Sequence, residues 1–211
     1  MRVGILNLPF DNNYGGNLQR YALARVLWEM GHDVKHINLR NSYCLPFYKK
    51  PYCYAKRLLM KLLGSKSSIF LEQERKREDE RMEINAQKFY ERYVSHTRAV
   101  YGVKEIGQVC RENKFQAVVV GSDQVWRNGM VKGVLGLNNY MLGFIHDEHI
   151  KKIAYAVSLG TEQRLGSAQV QRYSKFYNKF SAVSVRESQS VALFDEYGLS
   201  LIHISEPTRP Y

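Results

Sequence analysis

Cysteine is scarce in this chain, with three among 211 residues. Cys44, Cys53 and Cys110 are an odd number without a paired motif. That argues against a disulfide framework or a zinc site and fits a reducing, cytoplasmic setting. Long apolar runs are missing too: none approaches the roughly 18 residues that cross a bilayer. The opening MRVGILNLPFDNN has one Arg, a short apolar run and no small-residue cleavage site, so it does not read as a secretory signal. No G-x-G-x-x-G or Walker spacing occurs, so dinucleotide and triphosphate binding are not indicated. There is no internal repeat and no low-complexity tract. Acidic residues are outnumbered, 20 against 31 Lys and Arg, for a formal charge of +11. Such a balance favours anionic partners. Basic–aromatic interleaving and a helix-turn-helix pattern are both lacking, which ranks nucleic acid last among them. The acidic deficit is local as well. Residues 49–66 hold Lys49, Lys50, Lys56, Arg57, Lys61 and Lys66 with no carboxylate.

What is present suits an α/β domain: 45% of residues are hydrophobic, enough for one well-buried core. Arg2 to Leu8 reads as a buried strand. Leu23, Val26, Leu27 and Met30 recur at helical spacing, which predicts a helix from Asn17 to Met30 stopped by Gly31. DVKHINL then predicts a second strand, so residues 2–39 form a β-α-β unit with parallel strands. Residues 41–98 read as a helical excursion, two helices broken near Gly64. A short helix is expected over Val103–Glu112, strands in FQAVVVG, KKIAYAVSLG and SAVSVRE, and helices over 162–180 and in SQSVALFDEYG. The sum is a Rossmann-like open, mostly parallel sheet with helices on both faces.

In such sheets ligands sit beyond the carboxyl ends of the strands, and three stretches land there. PFDNNYGGNLQ reads as strand, glycine turn and helix. Gly15 and Gly16 let a backbone approach a ligand, and the helix start offers N–H groups to an anion. Asn13, Tyr14, Asn17 and Gln19 add polar contacts. A plain tight turn with Asn17 as the cap explains the same residues. VVVGSDQVWRNG places Gly121, Ser122, Asp123 and Gln124 directly after a valine strand. Asp123 suits a sugar hydroxyl or a helix cap; Trp126 suits a sugar face or the core. In AVSVRESQSVALF, Arg186 offers its fork of donors to a phosphate or carboxylate beside Glu187, and a surface ion pair is the alternative. His146 and His149 resemble a metal pair only loosely, and no metal motif is seen.

Taken together, NYGGNLQRYAL, VVGSDQVWRNG, KKIAYAVSLG and FSAVSVRESQSVALFDEYG resemble the polysaccharide pyruvyl transferase family over about residues 2–199. The resemblance implies the N-terminal half of a two-domain, GT-B-like transferase. It implies pyruvyl transfer from phosphoenolpyruvate to a sugar of a cell-surface glycan or its lipid-linked precursor. Protonation of the enol carbon and deprotonation of sugar hydroxyls need an acid and a base. Asp123 is the expected catalytic group. Asn13, Tyr14, Gly15, Gly16, Asn17, Gln19, Gly121, Ser122, Gln124, Trp126, Arg186 and Glu187 are the expected substrate-binding residues. No cofactor or metal is required by this chemistry, phosphoenolpyruvate being a substrate. The basic stretch 49–66 allows peripheral contact with an anionic membrane, or is a charged helix that stays in water. Two other readings compete: a phosphometabolite-binding module without chemistry, and a nucleotide-sugar glycosyltransferase.

The ending LSLIHISEPTRPY departs from the family pattern. It has no helix period, and Pro207 and Pro210 interrupt it. Residues from about 200 are expected to be a non-native tail, with the second domain missing and the truncated chain inactive alone.

Overall fold

The computed structural model describes residues 1–43, 45, 47–65, 68–131, 135–160, 167–196 and 203–204. Its centre is an all-parallel sheet in the order β2-β1-β3-β4-β5-β6. The strands are β1 (Arg2–Leu6), β2 (Asp33–His36), β3 (Ala117–Gly121), β4 (Lys151–Val157), β5 (Ala182–Val185) and β6 (His203–Ile204). The helices are α1 (Tyr14–Glu29), α2 (Lys50–Leu62), α3 (Leu71–Tyr93), α4 (Val103–Glu112), α5 (Asn128–Val131), α6 (Leu137–Tyr140), α7 (Ser167–Tyr177) and α8 (Ser188–Glu196). The two-residue β6 falls within the stretch read as a tail. The rest of that stretch, and Gly198 before it, lie outside the described residues.

Strand alternation sorts the core onto two faces. Val3, Ile5, Ala117 and Val119 join Leu23 of α1 and Val34 of β2 on one side. Leu6, Val118 and Val120 join Ile106, Val109 and Cys110 of α4 on the other. Both faces are therefore covered, which is why β3 is buried at every position. Chain order reverses between β1 and β3, which pair side by side although α1, β2 and the helical excursion intervene. That reversal is the switch point at which an open α/β sheet leaves a crevice.

Two boundaries differ from expectation. The helix expected from Asn17 begins at Tyr14, and its cap is Asn13, whose Oδ1 accepts from the Gly16 N–H at 3.1 Å. Gly15 and Gly16 are thus the first helical turn, not a turn before it. A Cβ on Gly15 would lie 3.3 Å from the capping oxygen, which favours glycine there. The strand expected to run to Leu39 ends at His36; Leu39 instead forms an isolated bridge with Val100. The helix pair expected in the excursion is present as α2 and α3, with Gly64 between them at φ +90°.

Candidate active site

The carboxyl ends of four strands are tied into one surface by hydrogen bonds between their exits. Beyond β1, Asn7 is buried and its Nδ2 donates to Gly121 O at 2.6 Å, across the β1–β3 switch point. Beyond β3, Ser158 N donates to Asp123 O at 3.1 Å, joining the β3 and β4 exits. Arg186 N donates to Val157 O at 3.0 Å, joining β5 to β4. The glycine loop comes from the β1 side.

The turn at 121–124 has one workable sequence at its first position. Gly121 sits at φ +143°, and a Cβ there would lie 2.0 Å from the Tyr155 carbonyl oxygen. Ser122 follows at φ +56°, a left-handed conformation for a residue with a side chain, and its N–H donates to Tyr155 O at 2.7 Å. Such conformations persist only where the surroundings hold them, and they concentrate at functional sites. Asp123 follows, half-buried. Its Oδ1 accepts from Gln124 N at 2.7 Å, and among the described residues Oδ2 takes no hydrogen bond. Its charge acts on the buried Arg20 and Tyr140.

The glycine loop is organised by a residue that sequence reasoning missed. Arg20 of α1 is 2% exposed. Its guanidinium donates to Leu8 O at 2.8 Å and Pro9 O at 2.9 Å, and also to Asn17 Oδ1. Burial lowers its pKa from the usual guanidinium value, while the charges of Asp11 and Asp123 pull the other way. Asn17 is consequently a buried clamp, with Nδ2 on Asp11 O at 3.0 Å, and is not a helix cap. The N–H groups of Gly16 and Asn17 are taken by Asn13. Tyr14 and Gly15, the first residues of the helix, are both exposed. Gln19 is half-buried on the same helix.

Four buried side-chain polar atoms lack a hydrogen-bond partner among the described residues, and three stand at this edge: Asn7 Oδ1, Arg20 Nε and Ser122 Oγ. Unpaired buried polar atoms are rare and costly.

Residues 13–208 match the sequence model of the polysaccharide pyruvyl transferase family. The chain belongs to that family. It is therefore a transferase of the polysaccharide pyruvyl transfer type, with a sugar acceptor. No curated protein and no solved structure matches it.

Within this family member, two expected site residues serve elsewhere. Trp126 is 1% exposed; its Nε1 donates to Tyr140 O at 3.1 Å and its ring packs on Tyr177, Phe180 and Phe194. Both faces of the indole are spent on the core, so it offers no sugar platform. Arg186 forms a 3.0 Å ion pair with its neighbour Glu187, which also accepts from Ser190 Oγ at 3.3 Å. The ion-pair alternative is what the structure holds at that turn. His146 and His149 lie on an exposed turn. Among the described residues no three His, Cys, Asp or Glu side chains converge as metal ligands would. Cys110 is core, and burial pushes its thiol up to about 12; Cys44 lies outside the described residues. No described helix is long and apolar enough to cross a membrane.

A second feature escaped the sequence: a cavity of about 760 Å³ between the β2 exit and α3, lined in part by Arg40, Tyr43, Asp79, Glu83 and Gln87. It adjoins the glycine loop. The Phe10 ring lies 5.5 Å from the Arg20 guanidinium and 4.0 Å from that of Arg40. Arg40 is itself held by Asn38, Gln87 and Glu83.

Proposed function

We propose that this chain transfers a pyruvyl group from phosphoenolpyruvate to two hydroxyls of a cell-surface glycan or its lipid-linked precursor, at the cytoplasmic side of the envelope and without a further cofactor. The carboxylate of Asp123 carries this reading: it stands on the left-handed turn at the β3 exit, and among the described residues its Oδ2 takes no hydrogen bond. Asp123 orients an acceptor hydroxyl and takes its proton through the free Oδ2. Tyr14 and Gly15 N–H groups at the positive end of α1 meet the donor's phosphate or carboxylate.

The chemistry balances. A proton adds to the methylene carbon of the enol, leaving an oxocarbenium-like centre. One sugar hydroxyl adds there and loses its proton, inorganic phosphate leaves, and the second hydroxyl closes the ketal with loss of its proton. The mixed charges and amides of the cavity beside the glycine loop give an extended glycan room to continue.

The test is to express the gene from its own locus, read through its 3′ end, and assay the product with phosphoenolpyruvate and extracted glycan. Phosphate release that requires the glycan, with a new ketal methyl resonance, is expected. Asp123→Asn should reduce the rate by about a hundredfold or more. Consumption of a nucleotide sugar with phosphoenolpyruvate left intact would overturn the assignment.

A further inference from the structure

Helix α2 is attached to the protein by its polar side. Arg57 forms a two-pronged bond to Glu72 at 2.6 Å and reaches Ile69 O at 3.1 Å, while Tyr54 packs edge-on against Phe70 at 5.6 Å. The opposite side is apolar and faces water. Tyr52, Leu59, Leu62 and Leu63, spaced i, i+7, i+10 and i+11, are 71%, 59%, 77% and 75% exposed. The turn before the helix adds Phe47 at 88% and Tyr48 at 76%. This inverts the ordinary arrangement, in which a surface helix turns its apolar stripe inward. Lys49 and Lys56, both exposed, lie beside the stripe, and Lys61, also exposed, lies on the far side of the helix. No Asp or Glu occurs anywhere between Asp33 and Glu72.

We propose that this face is a peripheral docking site for an anionic lipid surface. The apolar side of α2 enters the boundary between headgroups and acyl chains, with Lys49 and Lys56 resting on the phosphates. Tyrosines at the edge of the stripe suit that depth. Charge decides between this occupant and a second copy of the chain. In a symmetric dimer the same patch meets itself, which would bring two sets of lysines together with no carboxylate from this segment to offset them. The helix is short and its cations few, so the attachment is weak and reversible, as suits an enzyme visiting lipid-linked sugars.

The experiment is co-sedimentation with phosphatidylcholine vesicles prepared with and without phosphatidylglycerol. Binding only to the anionic vesicles is expected, weakening by roughly fivefold for each of Lys49→Ala and Lys56→Ala and falling with added salt. Leu59→Glu with Leu62→Glu should reduce it by at least about tenfold. These side chains are solvated, so circular dichroism and the unfolding midpoint should not move. Absence of binding to anionic vesicles, equal binding to neutral ones, or binding indifferent to the leucine and lysine variants would overturn the proposal. So would a dimer in solution that the leucine variant dissolves. The vesicles contain neither donor nor glycan, so failure here leaves the transfer reaction to stand or fall separately.

Discussion

Replacing Gly121 by alanine puts the organisation of the site to a physical test. The new methyl would lie 2.0 Å from the Tyr155 carbonyl oxygen, well inside any real contact, on a backbone at φ +143°. The obstacle is backbone of the central strand β4, paired with β3 at Tyr155 itself and with β5 on either side of a bulge at 155–156, so it cannot swing away as a side chain would. Backbone strain of this kind costs about 1–3 kcal/mol. The β3–β4 exit must also part, weakening the 2.7 Å bond from Ser122 N to Tyr155 O and the 2.6 Å bond from Asn7 to Gly121 O, each worth about 0.5–1.5 kcal/mol. The sum is roughly 2–6 kcal/mol, with about 4 as its centre. With a urea slope of about 2 kcal/mol/M, the midpoint should fall by about 2 M. Gly31→Ala is the control: its φ is +85° but nothing lies within 4 Å of the added methyl, so its loss should be only about 1 kcal/mol. Equilibrium urea unfolding of both variants decides the matter. A Gly121→Ala midpoint no lower than that of Gly31→Ala would refute the steric reasoning and the rigidity assigned to the turn.

Other outcomes follow from the same geometry. Trp126→Ala should cost about 3–5 kcal/mol in unfolding free energy, a loss a solvent-facing sugar platform would not produce; calorimetry or urea unfolding measures it. Arg20→Met should cost about 2–4 kcal/mol by abandoning three carbonyl acceptors, with faster amide exchange in residues 8–17. His36 is fully buried with its Nδ1 2.6 Å from Tyr90 Oη, and burial, then Arg20, His96 and Arg40, hold its pKa well below 6.5. The unfolded chain therefore binds a proton that the folded chain refuses. Stability should be fully present above pH 6.5 and fall by about 1.4 kcal/mol per pH unit below it, and His36→Gln should remove that slope in pH-dependent unfolding.

The frame of the fold was legible because burial and periodicity coincide there. The valines of β3, the parallel β1–α1–β2 unit, α4 and the Gly64 break all carry local signals that tertiary packing left intact. The departures share a different cause. Gly15 and Gly16 read as a turn by propensity, yet the Asn13 side chain makes them the first turn of α1. The inward stripe of α1 begins with Asn17 and Arg20, so a search for apolar spacing passes over the residues that hold the glycine loop, while Val26 and Met30, counted in that stripe, face solvent. Trp126 followed a polar turn and looked available; only the aromatic residues of α7 and α8, far along the chain, claim it. Asn7 did carry a signal, an amide at the end of an apolar strand, whose meaning depends on Gly121 across the switch point. Gly121 to Gln124 stood out in the sequence because a polar cluster after a valine strand has no packing purpose, and the structure sets Gly121 and Ser122 there at positive φ.

The most direct measurement is a ¹⁵N–¹H correlation titration of this chain with neutral glycan fragments, phosphoenolpyruvate and, separately, a uridine nucleotide sugar. The expected result is shifts at Ser122, Asp123 and Gln124 with the glycan, lost in Asp123→Asn, and shifts at Tyr14 and Gly15 with phosphoenolpyruvate. A response of these residues to the nucleotide sugar alone, or silence at the Gly121–Gln124 turn with every ligand, would contradict the assignment of this strand edge as the pyruvyl-transfer site.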